Sequence, residues 1–251
     1  MSAGGNAVAS RGTTIVLWLL ALAVIAVFVR LGLWQLDRMH EKQAMLDGVH
    51  AVLAQRSALP LAVAADPARA DDYDWSAGSG HFADLPPILL DNQGHDARSG
   101  VRAYRVFQPD AGVPVLVELG WLPLPGDRTL PKVPSLELTH VDGLLLPPPS
   151  SGLAQAAAVR QADGSWLAVS LQPDQLRDSL QLQVLAPRVL KLDPAQALPA
   201  DGPAYARDLD ILPNTLPPER HLGYAVQWFA LALAVFATAL LLTFRKFHRR
   251  P

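Results

Sequence analysis

The sequence predicts an integral membrane protein in which two transmembrane α-helices flank a mainly antiparallel β domain of the α+β class outside the cytoplasm. Three observations support this fold class. The 251-residue chain contains two long stretches without Asp, Glu, Lys or Arg, at residues 12–29 and 221–244. Its two ends, residues 1–11 and 245–251, carry basic but no acidic side chains. Between residues 37 and 219, short apolar runs alternate with turn residues, which is typical of strands.

The first predicted transmembrane helix covers residues 13–36. Its uncharged part, residues 12–29, is just long enough to cross a hydrocarbon layer ~30 Å thick at ~1.5 Å per residue. A cleaved signal peptide is the alternative, because Arg11 precedes an apolar run that contains Ala21-Leu22-Ala23. That tripeptide lies inside the run and no small-residue site follows the run, so we expect an uncleaved anchor.

The outer domain, residues 37–219, begins with the continuation of this helix. Apolar residues at helical spacing extend the predicted helix to about Arg56. Pro60, Pro67 and the acidic residues 71–74 then predict a loop.

From Gly80 onwards the sequence predicts strands. Residues 102–109 and 115–124 are expected to pair as a hairpin, and residues 92–95 (Asn-Gln-Gly-His) are expected to form a turn. One short helix is predicted at residues 172–180, and the periodicity leaves open whether the sheet closes into a barrel. The predicted strands are residues 88–92, 102–109, 115–124, 140–147, 165–171 and 182–193.

The second predicted transmembrane helix covers residues 220–244. The tail that follows, residues 245–251, contains four basic side chains and no acid, and the N-terminal tail, residues 1–12, adds Arg11. Because basic tails are retained in the cytoplasm, both ends are predicted to be cytoplasmic and the β domain to lie on the opposite side.

The composition excludes several functions. The chain has no cysteine, so it has no C-x-x-C-H haem attachment, no C-x-x-C redox pair and no thiolate copper site. Its three methionines, at positions 1, 39 and 45, do not form a methionine-rich copper site. A net charge of −2 with scattered basic residues gives no nucleic-acid footprint.

A first candidate site lies at the boundary of the first span. Arg30, Trp34 and Arg38 recur every four residues, so they share an arc of about 80° on the helix. Guanidinium groups on one stripe can bind an anionic group such as a phospholipid head or a cofactor carboxylate. The alternative is an interfacial Trp with Arg side chains that snorkel to water, which is common in membrane anchors.

A second candidate site opens the second span. His221, Tyr224 and Trp228 fall within an arc of about 60°, and Gln227 lies beside Tyr224. An aromatic belt capped by a histidine would explain these residues, but an amide inside the span is costly to expose to lipid. Gln227 is therefore expected to face another helix or a ligand. An imidazole is also a common axial ligand of haem iron.

A third candidate, Asp91 with His95 and Asp96, does not predict an enzyme. The sequence lacks the G-x-S-x-G, H-E-x-x-H, Walker and G-x-G-x-x-G motifs. Three polar residues at a turn are usually only a turn, so we expect no enzymatic activity.

Four segments carry a family resemblance: LGLWQLDR at 31–38, LLDNQG at 89–94, VLVELGWLP at 115–123 and RHLGYAVQWFALA at 220–232. The most specific motifs within them are G-x-W-Q-L and H-x-x-Y-A-x-Q-W-F, each at a predicted membrane boundary. Together the segments resemble the surfeit locus protein one family, whose members are assembly factors of haem-copper cytochrome c oxidase. The resemblance is collinear and covers nearly the whole chain.

The outer domain departs from the family pattern at two arginine positions. The family usually has Arg after Asp-Asn and before Gly-Trp, where this chain has Gln93 and Leu119. The basic and aromatic residues common after the first span are replaced by MHEKQ at residues 39–43. Partner contacts made by those family arginines are therefore not carried over.

The resemblance implies a membrane factor that binds haem a and helps to place it in the catalytic subunit of the oxidase. It also implies a bacterial-type inner membrane, a periplasmic β domain, and two partners, the catalytic subunit and the haem a synthesis machinery. A scaffold that binds the immature subunit without touching haem is the alternative, and a membrane-tethered enzyme is a third hypothesis.

The residues carried over by position begin with His221, the implied axial ligand of the haem iron. Arg30 or Arg38 would meet the haem propionates if the two helices pack together. The remaining matched positions are implied to pack between the helices or to line the cofactor: Gly32, Trp34, Gln35, Tyr224, Gln227 and Trp228.

Overall fold

A computed structural model describes residues 3–149, 156–199, 202–211 and 216–248. The chain divides into two compact units, Met1–Met45 with Thr215–Pro251 and Leu46–Asn214. The predicted tails fall partly outside the described residues. So do the side chains on which the predicted orientation mainly rests, those of Arg11, Lys246, Arg249 and Arg250.

Both predicted transmembrane segments are helical. Helix α1 spans Ala3–Gln55, helix α2 spans Pro173–Ser179 and helix α3 spans Pro218–His248. The stretches Gly12–Gln55 and Pro218–Arg245 are long and apolar enough to cross a membrane, and most of their side chains are exposed. These two helices suggest a membrane protein, because exposed apolar side chains are stable in lipid but not in water.

Helix α1 continues beyond its apolar part, as predicted. It contains no proline that would break its hydrogen-bond ladder. Arg56 ends it with a positive φ of 45°, and the Arg56 N–H donates to the Val52 carbonyl 2.8 Å away. This five-to-one bond to a left-handed residue is a common way to end a helix.

In the first unit, α1 and α3 bury side chains at a seven-residue repeat. The buried or half-buried positions of α1 include 14, 18, 21, 25, 28, 32, 35 and 39. Those of α3 include 221, 225, 228, 232, 235 and 239. Alternating spacings of four and three residues are typical of two helices that pack side by side along one seam.

The second unit contains one mixed sheet. Of its nine described strand pairings, six are antiparallel, and β1–β2, β3–β8 and β5–β9 are parallel. The strands are β1 Leu59–Pro60, β2 Asp74–Phe82, β3 Ile88–His95, β4 Arg98–Pro109, β5 Val115–Pro123, β6 His140–Leu146, β7 Val159–Arg160, β8 Trp166–Ala168 and β9 Val189–Leu192.

The sheet closes into a small barrel. The strand order runs β2-β6-β9-β5-β4, and β4 pairs back to β2 through Phe107 opposite Phe82. Strand β4 makes this possible because its first half pairs with β3 and only its last residues turn to β2. Whether the sheet closes, which periodicity left open, is thus decided by one long strand that pairs with β3 and then with β2 along the same edge.

The barrel interior is apolar. One cluster of buried side chains draws on all five strands of the ring, including Phe82, Phe107, Val117, Leu145 and Leu190. Alternate residues of the same strands face the other side of the sheet, as the two-residue period of a strand requires. That outer face carries both apolar side chains and the charged network described below.

Several sequence predictions for this unit are confirmed. The hairpin of residues 102–109 and 115–124 is β4 and β5, and the helix predicted at 172–180 is α2. Helix α2 has Pro173 in its first turn, where proline is tolerated because the N–H is not needed there.

Other predictions are wrong or too long. Residues 92–95 do not form a turn, because β3 continues to His95 through an irregular register between Leu90 and Gln93. The chain reverses instead at Asp96 and Ala97, which both have positive φ. The loop predicted to include residue 74 ends earlier, since β2 begins at Asp74. The strands predicted at 165–171 and 182–193 shrink to β8 and β9.

Candidate functional site

The central contact of the helix pair joins His221 of α3 to Gln35 of α1. The distance between His221 Nδ1 and Gln35 Oε1 is 2.7 Å. An amide oxygen has no hydrogen to donate, so the imidazole must donate from Nδ1. A neutral ring that carries its proton on Nδ1 keeps a lone pair on Nε2, which is the form that ligates a metal ion.

Close helix packing lies directly beside this contact. A β-carbon built on Gly32 would lie 2.7 Å from Cε1 of Phe229, so only glycine fits there without displacing the ring. Phe28 stacks on Trp228 with ring centroids 5.5 Å apart and an interplanar angle of 35°. These contacts hold the two backbones close together where Gln35 meets His221.

A second polar contact joins the helices at the other end of the span. Trp18 Nε1 donates to Thr243 Oγ1 over 3.0 Å, and the Trp18 ring lies edge-on to Phe236. Hydrogen bonds between helices are favoured in an apolar environment, because unpaired polar groups are costly there. Together with the His221 contact, this bond fixes the register of the pair at both ends.

The predicted residues of α3 divide between two surfaces. His221 and Trp228 lie half-buried against α1, whereas Tyr224 is 39% exposed and Gln227 is also exposed. Gln227 therefore does not face α1. Its amide and the Tyr224 ring lie on a surface of α3 that is open to lipid, a ligand or another protein.

The predicted stripe of α1 lies mostly away from α3. Arg30 is exposed, Trp34 is 50% exposed, and Arg38 pairs with Glu41 over 2.5 Å. Arg38 lies three residues after Gln35, only about 60° round the helix, while Arg30 lies about 140° away. Of the two arginines, Arg38 is the one whose position on α1 is next to the His221 contact.

The β domain contains a network of charges that was not predicted from the sequence, three of them buried and the fourth, Asp208, half-buried. Arg102 Nη1 lies 2.5 Å from Glu118 Oε1, and Tyr104 donates its hydroxyl to Glu118 Oε2 over 2.9 Å. Asp208 accepts from Lys191 over 2.9 Å and from Arg102 over 3.3 Å. The two cations and two anions balance, as buried charges must. The available signal was a charged residue inside otherwise apolar runs: Arg102 in β4, Glu118 in β5 and Lys191 in β9.

Burial and neighbouring charges shift the pKa values of this network. Burial raises the pKa of the Tyr104 hydroxyl well above its usual value, and the Glu118 carboxylate adds to the effect. Burial would also raise the pKa of Asp208, but Lys191 and Arg102 outweigh it and hold that pKa below its usual value. Asp208 therefore stays ionised at neutral pH.

We expect the Asp208→Asn substitution to weaken the acid sensitivity of the β domain. A carboxylate with a lowered folded pKa contributes stability that is fully present above its unfolded pKa of about 3.9 and is lost as the pH falls through the folded value. Thermal unfolding of the full-length protein in detergent, followed by Trp fluorescence from pH 7 to pH 3, measures this loss. The Asp208→Asn protein should be less stable than the wild type at pH 7, and its stability should fall less than that of the wild type on acidification.

Asp110→Asn is the matched control for this experiment. The Asp110 carboxylate is exposed and forms no ion pair with the described residues. The variant should follow the wild-type pH profile. An Asp208→Asn profile that coincides with both would contradict a stabilising role for the Asp208 ion pairs.

The residues of the third candidate have different partners. Asp91 pairs with Arg128 over 2.6 Å, whereas His95 packs on Trp121 with ring centroids 5.1 Å apart and has Nδ1 3.7 Å from Asp208. Asp96 is at the exposed turn, 3.6 Å from His95 Nε2. Among the described residues, no group of three or more His, Asp or Glu side chains is placed to hold a metal ion.

The two positions that depart from the family pattern are buried. Leu119 is fully buried among the side chains of the barrel interior, and the Gln93 carbonyl accepts a 2.9 Å hydrogen bond from Trp121 Nε1. An apolar residue suits the first position because its neighbours are apolar. In this chain, therefore, neither side chain is exposed for contact with a partner protein.

Comparison with known protein families gives a match over most of the chain. A model described as the SURF1 family matches residues 22–233, which include most of α1, the whole β domain and the first half of α3. A search of curated proteins finds no match. The matched region contains every candidate residue of the helix pair between Arg30 and Trp228.

Proposed function

The chain belongs to the SURF1 family, and from this premise we propose that it binds haem a and helps to place it in the catalytic subunit of cytochrome c oxidase. The family is associated with assembly of this oxidase. Haem a would be a cargo that the chain holds and passes on.

The observation that carries the proposal is the hydrogen bond between His221 and Gln35. With Nδ1 donating to the Gln35 oxygen 2.7 Å away, Nε2 retains the lone pair that coordinates iron. Haem ligation needs this form of the ring, so the donor chemistry of the site suits a haem. The iron would supply the coordination bond, and the helix pair would orient the imidazole.

The surroundings of His221 also suit a porphyrin. Tyr224 supplies exposed flat aromatic surface one turn from His221 on the same helix, and Arg38 supplies a cation next to Gln35 on the other. A haem has a broad apolar ring and two carboxylates at one edge, so it favours a boundary between lipid and water. Arg38 is the better candidate for the propionates, since Arg30 is turned away from the His221 contact.

The chain can hold haem only reversibly. It has no cysteine, so thioether attachment is impossible. One imidazole bond and a few polar contacts can be exchanged for ligands of an acceptor protein, as delivery of a cargo requires.

We further propose that the protein lies in a bacterial-type inner membrane with both termini in the cytoplasm and the β domain in the periplasm. The basic, acid-free ends of the sequence support this orientation. The partners would be the catalytic subunit of the oxidase and the haem a synthesis machinery, which must deliver haem at the same membrane.

A scaffold without haem contact is the second candidate function. It is favoured by the packing of Trp228 on Phe28, because a helix contact accounts for this aromatic residue without a ligand. In cells unable to make haem a, a scaffold should still purify with the catalytic subunit. A haem carrier should lose that association.

The proposal is tested by the haem content of protein purified from haem-a-producing cells. We expect wild-type protein to carry haem a and His221→Ala to carry none, because the iron loses its protein ligand. The matched control is His50→Ala, at an exposed position far along α1, which should keep its haem. Equal haem content in wild type and His221→Ala would remove His221 from haem binding.

A further inference from the structure

We infer that Gln35 is a positioning residue that fixes His221 in the tautomer with its proton on Nδ1, so that Nε2 is presented to an iron ligand. The tautomer follows from the acceptor oxygen that the Gln35 amide presents to Nδ1. The statement about iron rests on the proposed function, so the two parts need separate tests.

The tautomer follows from the chemistry of the two side chains. The 2.7 Å distance between Nδ1 and Oε1 is short for a hydrogen bond between neutral groups, and the oxygen can only accept. Without an acceptor at Nδ1, the ring could place its proton on either nitrogen. With Gln35 in place, the proton on Nδ1 is stabilised and Nε2 becomes the more basic nitrogen.

The helix packing explains why Gln35 can reach His221. Gln35 lies on the same seam of α1 as Gly32, one turn further along the helix. Since Gly32 has no side chain, α3 approaches closely enough for Phe229 to pack over it. At this short separation between the helices, the Gln35 amide reaches the imidazole. If α3 lay further from α1, lipid or water would fill the gap between the two side chains.

A purely structural role for Gln35 would have different consequences. Any polar side chain able to join the helices would then serve, and the position of the ring proton would be unimportant. As a positioning residue, Gln35 can be replaced only by another acceptor. The matched substitutions are Gln35→Glu, which keeps an acceptor oxygen at the same reach, and Gln35→Met, which keeps the length but provides no such oxygen.

The first arm of the experiment uses the detergent-solubilised protein without haem. Nitrogen NMR of ¹⁵N-histidine-labelled protein, with the His221 signals assigned by their loss in His221→Ala, reports which ring nitrogen carries the proton. We expect the proton on Nδ1 in the wild type and in Gln35→Glu, and a mixture of tautomers in Gln35→Met. The control Gln43→Met, at an exposed position two turns along α1, should match the wild type.

The second arm is a haem titration of the same four proteins. Loss of a side chain that orients a metal ligand typically weakens binding about 10- to 100-fold, so we expect this change in Gln35→Met. Gln35→Glu should retain most of the affinity, and Gln43→Met should bind as the wild type does.

The outcomes separate the inference from the proposed function. A wild-type proton on Nε2 would overturn the inference whether or not haem binds. Wild-type affinity in Gln35→Met would overturn the positioning role while leaving His221 as a ligand. A wild-type proton on Nδ1 together with no haem binding by any variant would support the tautomer and reject the proposed function. Because the wild type itself is measured, poor folding of one variant does not prevent a decision.

Discussion

Replacing Glu118 with Ala is expected to lower the free energy of unfolding of the β domain by about 3–5 kcal/mol. Glu118 is buried and contacts Arg102 at 2.5 Å and Lys191 at 3.6 Å. Its removal leaves two buried cations with Asp208 as their remaining carboxylate, and it leaves the Tyr104 hydroxyl without its acceptor. An unbalanced buried charge is far more costly than the loss of an exposed ion pair.

Urea or thermal unfolding of the full-length protein in detergent, followed by Trp fluorescence, measures this change. Glu137→Ala is the matched control at an exposed position and should change the stability by less than about 0.5 kcal/mol. The double substitution Arg102→Met with Glu118→Leu should recover part of the loss, because it removes one charge of each sign. A loss in Glu118→Ala no larger than the control would contradict a structural role for the network.

Replacing Gly32 with Leu is expected to separate α1 from α3 and to weaken the contact between Gln35 and His221. Even the β-carbon would meet the Phe229 ring at 2.7 Å, and the rest of the leucine side chain has no room. Overpacking of this kind typically costs about 1–3 kcal/mol. We therefore expect a lower unfolding temperature and, as a consequence for the site, weaker haem binding.

The absence of native cysteine makes the separation directly measurable. Spin labels on cysteines introduced at the exposed positions Leu33 and Val226 report the distance between the helices by pulsed electron resonance. The distance should increase in Gly32→Leu. It should not change in Gly48→Leu, because a β-carbon on Gly48 would meet nothing within 4 Å. An unchanged distance in Gly32→Leu would show that the helices do not depend on this close approach.

The two long helices could be predicted from the sequence, but their contact surface could not. Runs of residues without charge reveal a span because charges are costly in hydrocarbon. Within a span, however, residues that face lipid and residues that face the other helix are both apolar. The seven-residue seam of α1 therefore leaves almost no hydrophobic periodicity, and only the burial of positions such as Gly32 reveals it.

The residues of the candidate site could be named from motifs, but their pairing could not. His221 and Gln35 are 186 positions apart, and nothing local in either segment indicates that they touch. From their angles around the helix, Tyr224 and Trp228 were predicted to share one face with His221. The structure separates them, since Trp228 packs on Phe28 while Tyr224 remains exposed.

The β domain shows the same division between local and long-range information. Turn residues between two apolar runs predicted the β4–β5 hairpin correctly, because its strands are adjacent in sequence. Barrel closure depends on β4 changing partner from β3 to β2, which no local pattern encodes. The turn at Asp96 and Ala97 was missed because Asn92 and Gly94 are stronger turn formers, and Asn92 instead takes a positive φ within the irregular part of β3.

The proposed ligation of haem by His221 can be measured by an equilibrium titration of haem a into the detergent-solubilised protein. The wild type and His221→Ala would be compared by absorption spectra at each step, with His50→Ala as the control. We expect saturable binding with the spectrum of a histidine-ligated haem in the wild type and control, and loss of both the saturation and that spectrum in His221→Ala. The same affinity and spectrum in all three proteins would contradict the proposed ligation.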